Sequence, residues 1–216
     1  MRELSFSDIA SLLQALPWTV LLVVLALIVG APLGLGLATL RTSRFAPLRW
    51  LAAALLQSVQ GVPLLGLLMF VYFGIPVFLG IEVPALVAVT AAFAIYTAAF
   101  LGEIWFGGIR AVKHEQWEAA ACLGLSQWQQ FRHIVAPQAL AMSLPPTVGF
   151  LVQLIKGTSL ASVLGFVELA RAGQIVSAAT FQPLIVYSVV ALIYFAICLP
   201  LTRWGRNLER RLHGAR

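Results

Sequence analysis

The sequence predicts an all-α integral membrane protein of five transmembrane helices, with the N-terminus outside and the C-terminus inside. Three observations predict it. Only 10% of the 216 residues are charged against 61% hydrophobic, and the mean hydropathy is +0.94. A soluble domain has about a quarter charged residues, so this chain has too few to cover a water-facing surface. Five charge-free stretches are long enough to span a bilayer, and the basic residues gather on one side of them. An ordinary cytosolic enzyme, a disordered tail and a secreted disulfide scaffold are excluded. One membrane domain over 1–216 with little attached to it fits the length.

The spans follow from the charges. Residues 9–40 and 50–81 are uncharged runs of 32, 83–102 is one of 20, 133–155 one of 23 and 172–202 one of 31. A spanning helix needs about 20 apolar residues, so each run holds one. The two longest also contain loop, and Pro76-Val77-Phe78-Leu79-Gly80 reads as the end of the second helix. The uncharged stretch 157–167 has only 11 residues. It cannot span alone and reads as a re-entrant or interfacial piece. Before the first span, Phe6, Ile9, Leu12, Leu13 and Leu16 recur at helical spacing, with Ser5, Ser7, Asp8 and Gln14 between them. This predicts a short amphipathic helix at about 5–16 lying on the outer face. A cleaved signal peptide is disfavoured, because Glu3 offsets Arg2 and the apolar stretch is too long.

The basic residues set the orientation. Arg41, Arg44 and Arg49 lie between spans one and two, Arg110, Lys113 and Arg132 between three and four, and Arg203, Arg206, Arg210, Arg211 and Arg216 after five. These eleven mark the cytoplasmic side, and only Arg2, Lys156 and Arg171 fall on the other. The net charge of +6 is therefore orientation and headgroup chemistry, not a nucleic-acid surface. Cys122 and Cys198 lie in different environments, which disfavours a disulfide. No Cys/His spacing suggests a metal. His114, His133 and His213 all fall on the cytoplasmic side.

What is missing narrows the mechanism. No G-x-x-x-x-G-K-[ST] phosphate cradle is present. The only lysines, Lys113 and Lys156, do not follow a glycine, and Asp8 is the one aspartate. No span carries the Asp/Glu/His chain of a proton-driven carrier. The chain has no catalytic residue to name. It is either a passive pore or the membrane part of a machine whose motor lies elsewhere.

The strongest signal lies in the inner loop, roughly 104–133. Glu118-Ala119-Ala120 is followed after three residues by Gly124, and after nine more by Ile134-Val135-Ala136-Pro137. Glu115 to Leu123 is alanine-rich without Gly or Pro and favours helix. Glu115 and Glu118 lie early in that helix, where its dipole favours carboxylates. Gly124 can take positive φ and end it. Ser126 with Gln129 is a capping-box pattern that starts another helix, and Pro137 lets the chain bend back into the membrane.

This spacing resembles the EAA motif, E-A-A-x3-G-x9-I-x-L-P, of permease subunits of bacterial ATP-binding cassette importers, with Ala136 in place of Leu. Gly107-Gly108-Ile109, Gln116-Trp117-Glu118-Ala119-Ala120 and Pro137-Gln138-Ala139 look like its polar amino acid branch. So do Gln60-Gly61-Val62-Pro63-Leu64-Leu65 and Leu154-Ile155-Lys156-Gly157-Thr158-Ser159-Leu160. The resemblance covers about residues 15–200. It implies a multi-pass protein of the bacterial inner membrane that imports polar amino acids or related solutes. It also implies that Glu115, Glu118, Ala119, Ala120, Gly124 and Pro137 form a cytoplasmic coupling helix and turn that dock on ABC ATPase subunits. ATP and Mg would bind in that partner and no cofactor in this chain. An extracytoplasmic amino-acid-binding protein and a second permease subunit are the other implied partners. The alternative class is a small passive channel or a membrane scaffold with no ATPase.

Two residues depart from the branch. Gln60 stands where an Arg usually begins the second-span motif, and Phe106 replaces the Arg of E-I-x-R-G-G-I after Glu103. A guanidinium holds a carboxylate by two parallel hydrogen bonds, which Gln and Phe cannot do. The losses fit either a heterodimer partner that contacts substrate less, slightly favoured over a homodimer, or an altered substrate. Polar residues within the spans give the candidate translocation pathway: Gln57 and Gln60, Tyr96, and Gln153 with Lys156. Unpaired polar groups in lipid are costly, so these should face the bundle interior or a cavity. Pro145-Pro146 frees backbone groups in the fourth span, which is tolerated where the chain lines a cavity.

Overall fold

The computed structural model describes residues 3–214, and all of their regular structure is helical. Arg2 and Arg216, part of the charge asymmetry, and the side chain of His213 lie outside the described residues. Four helices are long and apolar enough to cross a membrane alone, and one bent pair supplies a fifth span.

α1 (Phe6–Arg41) is one continuous helix with Pro17 and Pro32 inside it. The separate amphipathic helix expected at 5–16 is the beginning of α1 instead. Its N-terminus is tied by the Ser5 N–H donating to Asp8 Oδ2 at 2.9 Å. Leu12 and Ala15 are buried against Leu169, Val176 and Val186, so tertiary packing outweighs the Pro17 interruption. Further along, α1 lies beside α5 (Ala85–Ala111). A Cβ on Gly30 would meet the Ala94 carbonyl oxygen at 2.6 Å, and one on Gly34 the Ala98 oxygen at 2.8 Å. The rising numbers on both helices show that they run parallel. Small residues permit this approach, and between helices in lipid the gain is close packing rather than hydrophobic burial.

The second span is broken. α2 (Ala46–Gln60) ends at Gly61, and the chain restarts as α3 (Leu64–Met69), a π-helical turn (Phe70–Gly74) and α4 (Ile75–Leu79). The two halves meet at 101°, where the sequence led us to expect one helix. Pro63 explains the break. It lacks an N–H and disfavours helical geometry in Val62 before it. The span ends as expected at Gly80, whose φ is +63.

α5 is the centre of the bundle. Phe93, Tyr96 and Leu101 on it are buried with Leu22 of α1, Leu68 of α3 and Phe150 and Leu154 of α8 (Ala136–Gly157). α5 also runs to Ala111, further than the loop boundary at 104 expected from charge. Gly107 and Gly108 are thus helical. A Cβ at Gly108 would sit 2.8 Å from the Ala139 carbonyl oxygen, so this glycine sets the crossing of α5 and α8.

The fourth span also departs from one regular α-helix. After α8 comes a 3-10 turn (Thr158–Leu164), then Gly165 with φ +79, then α9 (Leu169–Thr180). The short stretch 157–167 is the link between α8 and α9. α10 (Pro183–Gly214) closes the bundle, with Gly205 against Val148 of α8. The ends of α1, α5 and α10 and the start of α8 therefore lie at one end, which carries the basic residues. α6 (His114–Cys122) and α7 (Gln127–Gln130) project there between α5 and α8.

Candidate functional site

The projecting loop is built from local signals. α6 covers the predicted helix almost residue for residue. Ala120 is buried at 1% exposure, while Glu115, Glu118, Ala119, Cys122 and Leu123 are exposed. Their spacing places them on one face of α6. Glu118 Oε1 accepts a hydrogen bond from His114 Nδ1 at 3.1 Å. The helix ends in a Schellman turn. The Leu125 N–H donates to the Ala120 carbonyl, the Gly124 N–H donates to that of Ala121, and Gly124 has φ +73. Ser126 then caps α7. Its N–H donates to Gln129 Oε1 at 2.8 Å, and its hydroxyl accepts from the Gln129 N–H at 3.4 Å. The turn holds Leu123 at 77% and Trp128 at 65% exposure, an apolar tip flanked by carboxylates. The chain re-enters the bundle through a π-helical turn at Phe131–Val135, and Pro137 stands in the first turn of α8.

The base of the loop is fixed. Val112, Val135 and Ala139 form a small buried cluster with Ile109, Trp117 and Phe131 packed on it. Any shift of α6 therefore reaches the ends of α5 and α8.

The structure brings three of the five pathway candidates to one level of α5. The Gln60 side-chain amide donates to the Ala99 carbonyl at 3.1 Å. The Gln153 amide donates to the Tyr96 hydroxyl at 2.7 Å. Tyr96 is buried and packs on Phe100 and Phe150, with ring centroids 4.4 and 5.9 Å away. The α2–α3 break lies at this same level. Gln57, a turn earlier on α2, is exposed and separate from the group.

Lys156, the fifth candidate, stands beside α10. It is exposed and opens into a groove of about 530 Å³ between α8 and α10, with Tyr194, Cys198, Thr202 and Arg206. Cys198 is fifteen residues past the start of α10 at Pro183, about 22 Å along it at 1.5 Å per residue. Lys156 thus lies well in from the start of α10. An ionisable group within a span has to face protein or a water-filled space.

Sequence reasoning missed one buried carboxylate. Glu168 has 0% exposure and caps α9. It accepts from the Ala170 and Arg171 N–H groups and from the Tyr194 hydroxyl, each at 2.9 Å. The Leu169 N–H donates to Thr19 Oγ1 at 3.1 Å. This node ties α9 to α1 and α10. Its only signal was a carboxylate bounding an uncharged stretch too short to span.

Relatives fit this architecture. The chain is 36% identical over 209 residues to a probable amino-acid ABC transporter permease protein, YckA, of Bacillus subtilis (97% of this chain, 92% of that one). It is 33% identical over 202 residues to the glutamine transport system permease protein GlnP of Escherichia coli (93% and 92%). A crystal structure of an amino acid ABC transporter with histidines superposes with a TM-score of 0.88 at 30% identity, covering 97% of this chain and all of that one. An inward-facing MetNI methionine transporter shares the fold at TM-score 0.78 and 17% identity. The class is therefore a multi-pass permease subunit. Residues 30–214 match the family model for the binding-protein-dependent transport system inner membrane component, and the chain belongs to that family. Such subunits dimerise and work with an ATPase and a substrate-binding protein.

Proposed function

We propose that the chain is one membrane subunit of an ATP-driven importer for polar amino acids or close analogues, set in a bacterial cytoplasmic membrane. The N-terminus lies outside and the C-terminus inside, which puts the basic end and its projecting loop in the cytoplasm. The observation that carries the reading is that loop. α6 ends in a left-handed Gly124 turn with carboxylates and an apolar tip exposed, anchored on the ends of α5 and α8. It is a rigid element offered to a second protein.

ATP and Mg bind in the partner ATPase, and an extracytoplasmic binding protein delivers the solute. Two permease subunits form the pathway. Lys156 in its groove supports this, because an exposed charge within a span needs a covering subunit or a water-filled path. Gln60, Tyr96 and Gln153 line the same level, beside the helix break. A heterodimer is slightly favoured over a homodimer. In this subunit the Gln60 amide nitrogen is engaged by Ala99 rather than offered as a cation.

The test is purification of the tagged chain from its native host, followed by uptake in vesicles. An ATPase and a second permease subunit should co-purify, and uptake of labelled amino acids should require ATP. A passive channel would bring down no ATPase and would conduct without ATP.

A further inference from the structure

The resemblance leads to an expected guanidinium at position 106, and Phe106 stands there. The structure puts a guanidinium beside that ring from another helix. We propose that Arg41, the last residue of α1, is the positioning cation of this site. It holds Glu103 across the α1–α5 contact with Phe106 as its platform, and so fixes the end of α5 from which the coupling loop leaves. The proposal rests on the reading of that loop as the transmission element.

The geometry is specific. The backbones of α1 and α5 touch at Gly34 and Gly102, where a Cβ on Gly102 would meet the Gly34 carbonyl at 3.1 Å. Arg41 lies two helical turns beyond Gly34, level with Phe106 on the parallel α5, and its side chain leans back toward the helix N-terminus over that ring to Glu103. Arg41 Nη1 donates to Glu103 Oε2, and the side chain of Arg41 is only 13% exposed while that of Glu103 is 43% exposed. The Arg41 guanidinium carbon lies 3.9 Å from the Phe106 ring centroid. That is well inside the roughly 6 Å reach of a cation–π contact. Arg110 approaches the same ring at 5.7 Å.

Glu103, Phe106 and Arg110 are spaced three and four apart and share a face of α5. A carboxylate, a ring and two guanidinium groups thus form one cluster. An added Arg at 106 would be a third cation around one carboxylate. With Phe at 106, the flat ring receives the flat guanidinium while its N–H fork turns to Glu103. A lysine at 41 could carry the charge but not the stacked fork. The cluster ends at Arg110, next to the last residue of α5, Ala111, and Val112 after it is buried in the base of the coupling loop. Fixing α5 here fixes where α6 starts.

The experiment uses the complete transporter in nanodiscs: this chain, its second permease subunit, its ATPase and its binding protein with an equimolar mixture of the standard amino acids. Binding-protein-stimulated ATP hydrolysis is read beside permease level and ATPase co-purification. Arg41→Gln should lower the stimulation about fivefold, at the low end of usual coupling effects, with the ATPase still bound. Arg41→Lys should not restore it. Phe106→Arg in the Arg41→Gln background should restore it, because the guanidinium returns to Glu103 from its own helix. If Arg41→Gln fails to accumulate, the same double variant should recover the level. A double variant no better than Arg41→Gln, or an Arg41→Gln indistinguishable from wild type, overturns the proposal. Absence of any ATPase from the wild-type preparation would instead strike the importer reading itself.

Discussion

Gly124 is the residue at which coupling and folding can be separated most cleanly. Its φ is +73, a region where a Cβ crowds the following carbonyl and costs roughly 1–2 kcal/mol. No atom lies within 4 Å of the place a Cβ would occupy. The whole penalty of a substitution is therefore backbone strain, with no clash to add. A loss of 1–2 kcal/mol shifts the closed turn against open alternatives by about 5–30-fold. It does so at the exposed tip of a loop, where the membrane bundle is untouched. The order of function should be Gly, then Asn, then Ala, then Val, since Asn tolerates the left-handed region and a β-branched side chain does not. Permease level in the membrane should be equal across the series. Stimulated ATP hydrolysis, measured with the binding protein present, should follow the order. If Gly124→Val hydrolyses and transports at the wild-type rate, the turn transmits nothing and the coupling reading fails.

Four further outcomes are expected. Glu118→Lys changes helix-end energetics by only about 0.3–1 kcal/mol, too little to unfold the bundle, so it should abolish ATPase co-purification at normal permease level; retained co-purification would remove Glu118 from the docking face. Lys156→Met should lower uptake by roughly tenfold, about 1.4 kcal/mol, while the ATPase stays bound; unchanged uptake kinetics would mean the ammonium only reaches for polar surroundings. Gly108→Ala forces a Cβ to 2.8 Å from the Ala139 carbonyl, an overpacking worth about 1–3 kcal/mol, and should lower the melting temperature in detergent; an unchanged midpoint would show that α5 and α8 can part freely. In a Cys122- and Cys198-free background, Ser5→Cys should react with an impermeant thiol reagent from outside and Leu212→Cys only after permeabilisation; labelling of both from one side would make the number of spans even.

The parts of this molecule that are written locally were legible. Charge-free length located the five spans, because an ionisable group in lipid is costly wherever the chain folds. The projecting loop was legible nearly residue by residue, since the Gly124 turn and the Ser126–Gln129 box close within a few residues. The parts set by neighbouring helices were not. The boundary at 104 failed because Glu103 is paired with Arg41, 62 residues away, so a charge that reads as a helix end lies inside α5. The segment at 5–16 merged with α1 because α9 and α10 supply its second wall, which periodicity along one helix cannot report.

The same distinction explains Lys156. A span counted by length assumes a straight helix, and from that count the end of α8 reaches the far surface. Instead α8 gives way at Gly157 to the 3-10 segment Thr158–Leu164, and α9 follows after Gly165. Both breaks carry residues that permit them, Gly61 and Pro63 in one, Gly157 and Gly165 in the other. Permission is not instruction, however, because glycine and proline also occur in unbroken membrane helices, as Pro17, Pro32 and Pro200 do here. What decides is whether partners satisfy the backbone groups that a break exposes. At α9 they do: the carboxylate of Glu168, itself held by Tyr194 from α10, takes the first free N–H groups, and Thr19 from α1 takes another. Those partners lie 26 and 150 residues from the break they stabilise. The surroundings of Lys156 depend on how the chain is held beyond that break, and a sequence window centred on Lys156 contains none of those partners.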